Sequence, residues 1–408
     1  MDARISALQK EAATRDDVIG LSGGLPADDL MPKDELGRAL AYVATRRDEA
    51  LQYGWPEGTK QLRAWIADRL AGRGATIDPE RVIITAGAQQ ALSLAAQMVA
   101  AGTSSQANIA ASGSSTRDAR IETGAATYPG ALDAFRGANV QVIARCDADK
   151  QRTRHGSGDK LPPRDAAAGS RDTRAAGGGG CVRYLTAGVD MPTGVAVDHR
   201  DLLDRDEPLI VDEAYAELRF DGSVPRPLIA DAPERVWHVG TISKTIAPGL
   251  RVGWLIPPEA EHDAVLELKS AADLHTASIS QAALSRLLGT LDYDALVARA
   301  RAAYADRAER AVRALRQHAS GLEFAEPAGG FSIWIETGER RDEADFLEAA
   351  LAERVMVDPG SLFRPEPDDR LAFRISYSNA PIDVIDEGIR RLARALRSSK
   401  VVARAASR

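Results

Sequence analysis

The sequence predicts an α/β protein, with a large domain built on a mostly parallel sheet and a smaller α+β domain beside it. Three observations carry this expectation. Short apolar runs recur along the chain, such as RVIIT (81–85), PLIVD (208–212) and VWHVG (236–240), the pattern of strands buried on both faces. The stretches between them can supply crossover helices. At 408 residues the chain is too long for one hydrophobic core, so two domains are expected.

Taken in order, residues 1–47 read as a helix, a Gly/Pro loop (LSGGLPADDLMP, 21–32) and a second helix from about Lys33. Residues 58–73 space their apolar side chains by three and four, which predicts an amphipathic helix. RVIIT leads into AGAQQALSLAAQMVAAG, a turn and a helix, giving a strand–turn–helix unit. VQVIA (140–144) and VRYLT (182–186) are further strands, and residues from about 258 to 318 are helical. Residues 320–408 mix strands (FSIWIE, 331–336; LAFRISYS, 371–378) with helices at 343–354 and 383–398. Residues 103–118 and 151–181 break the pattern: they are polar, rich in Gly, Ser and Arg, and poor in large apolar side chains. Such a composition cannot offset its own ordering entropy, which predicts mobile loops, or else marks a local reading-frame error. No phosphate-loop fingerprint surrounds the four glycines at 177–180.

Composition excludes several function classes. Hydrophobic residues make up 44% and charged residues 27%, an ordinary soluble balance. No apolar run approaches the ~18 residues of a membrane helix, and the first residues lack a signal-peptide core. A net charge of −7 argues against nucleic acid as the main partner. Two cysteines, Cys146 and Cys181, are too few for a disulfide framework and fit a reducing cytoplasm. Only eight of the 52 basic residues are lysines. Base composition accounts for such a bias, yet a scarce lysine can still stand where only an amine serves.

The clearest chemical signal is TISKTIAPGLRVG (241–253), where a strand runs into Thr241, Ser243, Lys244 and then Arg251. An amine beside hydroxyls and a guanidinium suits a phosphorylated aldehyde, the amine forming a Schiff base and the others holding the dianion. A lone Ser-Lys pair would more often be a surface loop. Asp212, however, ends PLIVD at the carboxyl end of a predicted parallel strand, the usual ligand crevice, with Tyr215 three residues on. A carboxylate there can keep a pyridine nitrogen protonated, and Tyr215 can donate to the ring's phenolic oxygen. By itself, Asp212 could equally cap a helix.

Together these residues resemble the fold type I pyridoxal-phosphate enzymes, specifically the class I/II aminotransferases, over most of the chain and in the family's order. The resemblance implies a seven-stranded-type large domain at 48–275, a small domain made of 1–47 and 276–408, and pyridoxal 5'-phosphate with no metal. LQYGWPEGTKQLR (51–63) is similar to the segment whose Tyr53 would reach the phosphate in a neighbouring subunit of a homodimer. ITAGAQQAL (84–92) resembles the phosphate cup, with the amides of Gly87, Ala88 and Gln89 at a helix start. ATYPGALDAF (126–135) resembles the segment whose Tyr128 stacks on the ring. The GGLP loop, with Gly24, would lie over the substrate, and FRISYS (373–378) places Arg374 where the family binds the substrate α-carboxylate. KSAADLHTASISQ (269–281) and the GGLP loop look like the α-aminoadipate and kynurenine aminotransferase group, and equally like the aminotransferase half of fused transcription regulators. With no helix-turn-helix segment in this sequence, catalysis is expected: an amino group would pass between an amino acid and a 2-oxo acid through Lys244.

One departure stands out. Met191 occupies the place of the family's Asn in N-P-T-G, and a thioether cannot donate a hydrogen bond. A weaker hold on the phenolic oxygen and a raised Schiff-base pKa follow. Elimination, replacement or amino-acid oxidation with the same cofactor stay open at this point, as do a non-catalytic effector-binding role and a degenerate copy.

Overall fold

The computed structural model describes residues 2–102, 119–145 and 181–399. Residues 103–118, Cys146 and all of 151–181 except Cys181 therefore lie outside the described residues, with the expectations attached to them. Helix α1 (Ala3–Ala13) begins where the Asp2 carboxylate accepts the Arg4 N–H at 2.8 Å. Strand β1 (Ile19–Leu21) and α2 (Lys33–Arg46) flank the Gly/Pro loop. Helix α3 (Lys60–Ala71) buries Leu62, Ile66, Ala67 and Leu70, with steps of four from Leu62 to Ile66 and three from Ala67 to Leu70. Next come β2 (Ile83–Thr85), α4 (Ala88–Ala100), β3 (Arg120–Thr123), α5 (Pro129–Gly137), β4 (Gln141–Ala144) and β5 (Cys181–Thr186). A two-residue pair, β6 (Gly188–Val189) and β7 (Ala196–Val197), precedes β8 (Leu209–Asp212), β9 (Val236–Thr241) and β10 (Gly253–Ile256). The helical stretch is three helices: α6 (His262–Asp273), α7 (Ser278–Leu288) and α8 (Tyr293–His318). Leu274, left-handed at φ 62°, ends the first, and Asp292 caps the last by accepting the Ala295 N–H at 3.0 Å. The described chain finishes with β11 (Ser332–Arg340), α9 (Glu343–Ala352), β12 (Val355–Pro359), β13 (Arg370–Ser376) and α10 (Ile385–Ser398).

Among the described residues seven strands form the large sheet in the order β2-β10-β9-β8-β5-β3-β4, and of these only β10 is reversed relative to the rest. Successive side chains feed two cores: Ile84, Val211 and Ile256 lie in one, Ile83, Ile210 and Leu255 in the other. Burial on both faces is why these strands read as continuous apolar runs. Leu284, Leu287 and Leu288 of α7 and Leu296 of α8 join the first of these cores. The smaller sheet, β1-β12-β13-β11, draws on both ends of the chain, since β1 pairs parallel with β12. Its core takes Ile5 from α1, Phe346 and Leu347 from α9, and Ile389 and Leu392 from α10. Among the described residues no helix is long and apolar enough to cross a membrane.

Candidate active site

The carboxyl ends of β5, β8 and β9 meet the turn after β2 along one edge of the large sheet, where open α/β sheets hold ligands. A cavity of about 110 Å3 lies there, with Met191, Asp212, Tyr215, Lys244 and Arg251 in its wall. Lys244 follows β9, and its Nζ donates to the Gly24 carbonyl oxygen at 3.2 Å. The amine also lies 5.4 Å from the centre of the Tyr215 ring. Burial, reinforced by the Arg374 guanidinium, pushes the Lys244 pKa down to about 8, against the opposing pull of Asp212.

Asp212 is buried at the end of β8. Its Oδ1 accepts the Ala214 N–H at 2.9 Å, and its Oδ2 accepts the Tyr184 hydroxyl at 3.1 Å. Burial raises its pKa, while these two donors and Lys244 hold it back. The Ala214 bond closes a turn, and no helix begins there for Asp212 to cap; the Tyr184 bond comes from the neighbouring strand and leaves the carboxylate at the cavity. Tyr184 escaped the sequence reading. Its only signal there is a tyrosine in an apolar strand, whose hydroxyl must find a partner once buried.

The opposite end of the cavity gathers groups that can take an anion. Gly87, at φ 81°, caps α4, and the first turn of a helix presents unpaired N–H groups and the positive end of its dipole. Arg251 donates Nη2 to the Ala86 carbonyl at 2.9 Å. A Cβ at Gly87 would lie 2.5 Å from that Nη2, so a side chain there would displace the arginine. Gly253 backs the same turn: its Cβ would meet the Gly87 carbonyl carbon at 2.7 Å and the Ala88 nitrogen at 2.8 Å. The Thr241 hydroxyl donates to the Val252 carbonyl at 2.8 Å and lies 2.8 Å from Ser243 Oγ, fixing Ser243 at the cavity. From behind, Gln90 accepts the Ala86 N–H and donates to Asp273, both at 2.7 Å, and Asp273 pairs with the buried Lys269 at 2.6 Å. The sequence offers no sign of this brace, which spans 183 residues between Gln90 and Asp273.

Tyr128 caps the start of α5 and donates to Gln89 Oε1 at 3.4 Å, while Gln89 donates to the Gly130 carbonyl at 2.6 Å. Burial pushes the Tyr128 pKa up to about 12 and raises that of Tyr215 further. Arg374 is buried on β13 and reaches the site across Gly24 rather than through the cavity wall. Tyr53 is not brought together with the other residues within one chain. It is 82% exposed and packs edge-on against His275, beside a separate concavity.

Met191 is buried in the cavity wall, in the turn between β6 and β7. Asp190 holds that turn by accepting the hydroxyls of Thr186 at 3.1 Å and Thr193 at 2.5 Å. The Met191 N–H donates to Thr186 Oγ1 at 3.1 Å, so the turn is well anchored and only its side-chain donor is missing.

Comparison with known proteins identifies the family. A 2-aminoadipate transaminase of Thermus thermophilus is 29% identical over 396 residues, 94% of this chain and 91% of its own. An uncharacterized HTH-type transcriptional regulator of Bacillus subtilis, YisV, is 28% identical over 392 residues, 94% of this chain and 74% of its own. The solved structure of LysN, the alpha-aminoadipate aminotransferase of Thermus thermophilus, complexed with N-(5'-phosphopyridoxyl)-L-leucine, matches with a TM-score of 0.76 at 27% identity, covering 97% of this chain and 95% of that one. The family profile described as aminotransferase class I and II matches residues 16–392, through both sheets and the whole cavity. The chain thus belongs to the class I and II aminotransferases, a family of pyridoxal 5'-phosphate-dependent enzymes.

Proposed function

We propose that this aminotransferase passes the amino group of an α-amino acid to a 2-oxo acid at the cavity just described, with Lys244 as its reactive amine. The residues present fit the cofactor. Gly87 and Gly253 leave a cradle that a Cβ would fill, at a helix start beside Ser243 and Arg251, and a phosphate dianion suits that end. Asp212, buried and anchored by two donors, suits a protonated ring nitrogen. When bound, the cofactor supplies an electron sink and carries the amino group. Lys244, with a pKa of about 8, takes the substrate's Cα proton in its neutral form and returns it as the ammonium. With the cofactor bound, Asp212 would keep the ring nitrogen's proton in place, Tyr215 would donate to the phenolic oxygen, and Tyr128 would pack on the ring. Thr241 acts by holding Ser243, Gly24 closes over the substrate, and Arg374 receives the α-carboxylate. Tyr53, exposed on its own chain, reaches the phosphate site of a second subunit in a homodimer.

The observation that carries this reading is Lys244, an amine of lowered pKa at a cavity between a buried carboxylate and an anion-binding helix start. Incubation of the loaded enzyme with a panel of amino acids and 2-oxoglutarate tests it. Glutamate formation is expected; ammonia without glutamate would replace transfer with elimination, the reading that Met191 favours.

A further inference from the structure

We infer that Asp358 is a positioning residue for the substrate's carboxylate: it orients Arg374 so that one edge of the guanidinium faces Gly24, and it ties the 21–32 loop to the same arginine. The inference rests on the reading that Arg374 receives the α-carboxylate.

Asp358 on β12 lies directly opposite Arg374 on β13 in the antiparallel register. Its Oδ2 accepts Nε at 3.0 Å and Nη2 at 2.7 Å. That engages the side edge of the planar guanidinium and leaves its end edge, Nη1 and Nη2, for a second carboxylate. A Cβ at Gly24 would lie 3.0 Å from Nη1 and 3.0 Å from Nη2, so the free edge looks onto the one residue that leaves it open. Gly24, at φ 58°, also turns its carbonyl to Lys244 Nζ at 3.2 Å. The free edge and the reactive amine thus meet the same residue. Both Asp358 oxygens accept the Gly23 N–H at 3.0 Å, so the carboxylate that orients the arginine also seats the loop. Asp358 and Arg374 are each only 6% exposed, so little water reaches the pair to compete for its hydrogen bonds. Without Asp358, the guanidinium would lose its side-edge anchor and the Gly23 amide its acceptor.

The test uses the cofactor-loaded full chain carrying Asp358→Ala, Asp358→Asn or Arg374→Lys. KM and kcat are measured for the most active amino acid of the panel and for 2-oxoglutarate, and amide hydrogen exchange is followed across residues 21–32. Both substrates present the same carboxylate, so Asp358→Ala should raise both KM values by one common factor, about 10–100-fold as for loss of a hydrogen bond to a charged group, with kcat little changed. Exchange in the loop should quicken. Asp358→Asn keeps a neutral acceptor and should raise both KM values by about threefold to tenfold. If Asp358→Ala does not fold, the Asn variant decides. KM values unchanged in the Asp358 variants but raised in Arg374→Lys overturn the inference alone. Unchanged KM values in Arg374→Lys overturn the reading of Arg374 as well. A loss confined to kcat, with the loop exchanging as in the parent, reduces Asp358 to a structural role and overturns the inference.

Discussion

Among the described residues two lysines are enclosed by the fold, and their partners separate them. Lys269 is fully buried and neutralised by Asp273, whereas Lys244 faces the cavity with a carbonyl as its hydrogen-bond partner. A lowered pKa has a definite kinetic sign. Only the neutral amine can attack an aldehyde, so uptake of cofactor by the cofactor-free protein should fall about tenfold per pH unit below about 8 and level off above it. Stopped-flow absorbance measures this; a rate independent of pH between about 6 and 9 would contradict it. Met191 makes a second prediction at this scale. Its anchored backbone lets Asn enter with little rearrangement, restoring a donor at the cavity wall. Met191→Asn should move the pH titration of the lysine-bound cofactor's visible band to lower pH, and an identical titration would sink the argument. Lys244, Asp212 and Arg251 could be read from the sequence because each sits in a short local motif. Tyr184, Gln90 and Asp358 could not, because their partners lie across strands or helices, and register is invisible in a single sequence.

Among the elements, β10 is the one that the apolar pattern missed and the site most depends on. It is four residues long and begins with a glycine, so it carries little strand signal. Paired between β2 and β9, it brings Gly253 against the turn that starts α4. Gly253→Ala would drive a methyl into backbone on both sides. Overpacking of this kind costs about 1–3 kcal/mol, at least about a fivefold loss in cofactor affinity if it falls on the cup. Equilibrium titration of cofactor absorbance gives the number; wild-type affinity would show that the cup does not rest on β10. The short strands β1 and β12 were missed for a related reason. The pairing of β1 with β12 joins residues near opposite ends of the chain, which local periodicity cannot register. The helices fared better, since three-and-four apolar spacing is a local signal, although the breaks at Leu274 and before Asp292 that divide 258–318 were not legible.

At the scale of the whole molecule, one sheet carries the reactive amine and the anion site, and the other carries the arginine. Gly24 stands between them, in contact with both. The remaining feature at this scale is an apolar surface. Leu51, Tyr53 and Trp55 are exposed together, and a concavity of about 520 Å3 beside Leu51 and Tyr53 is lined also by His275 and Ile279. Clustered exposed apolar residues mark association surfaces. Sedimentation equilibrium should therefore return a homodimer, and a monomer at micromolar concentration would remove Tyr53 from the proposed phosphate site. The chemistry of this cavity turns on which amine carries the cofactor. Borohydride reduction of the loaded enzyme, followed by peptide mapping, reads this directly. The label is predicted on Lys244 alone; a label on Lys269 or any other lysine, or none at all, would contradict it.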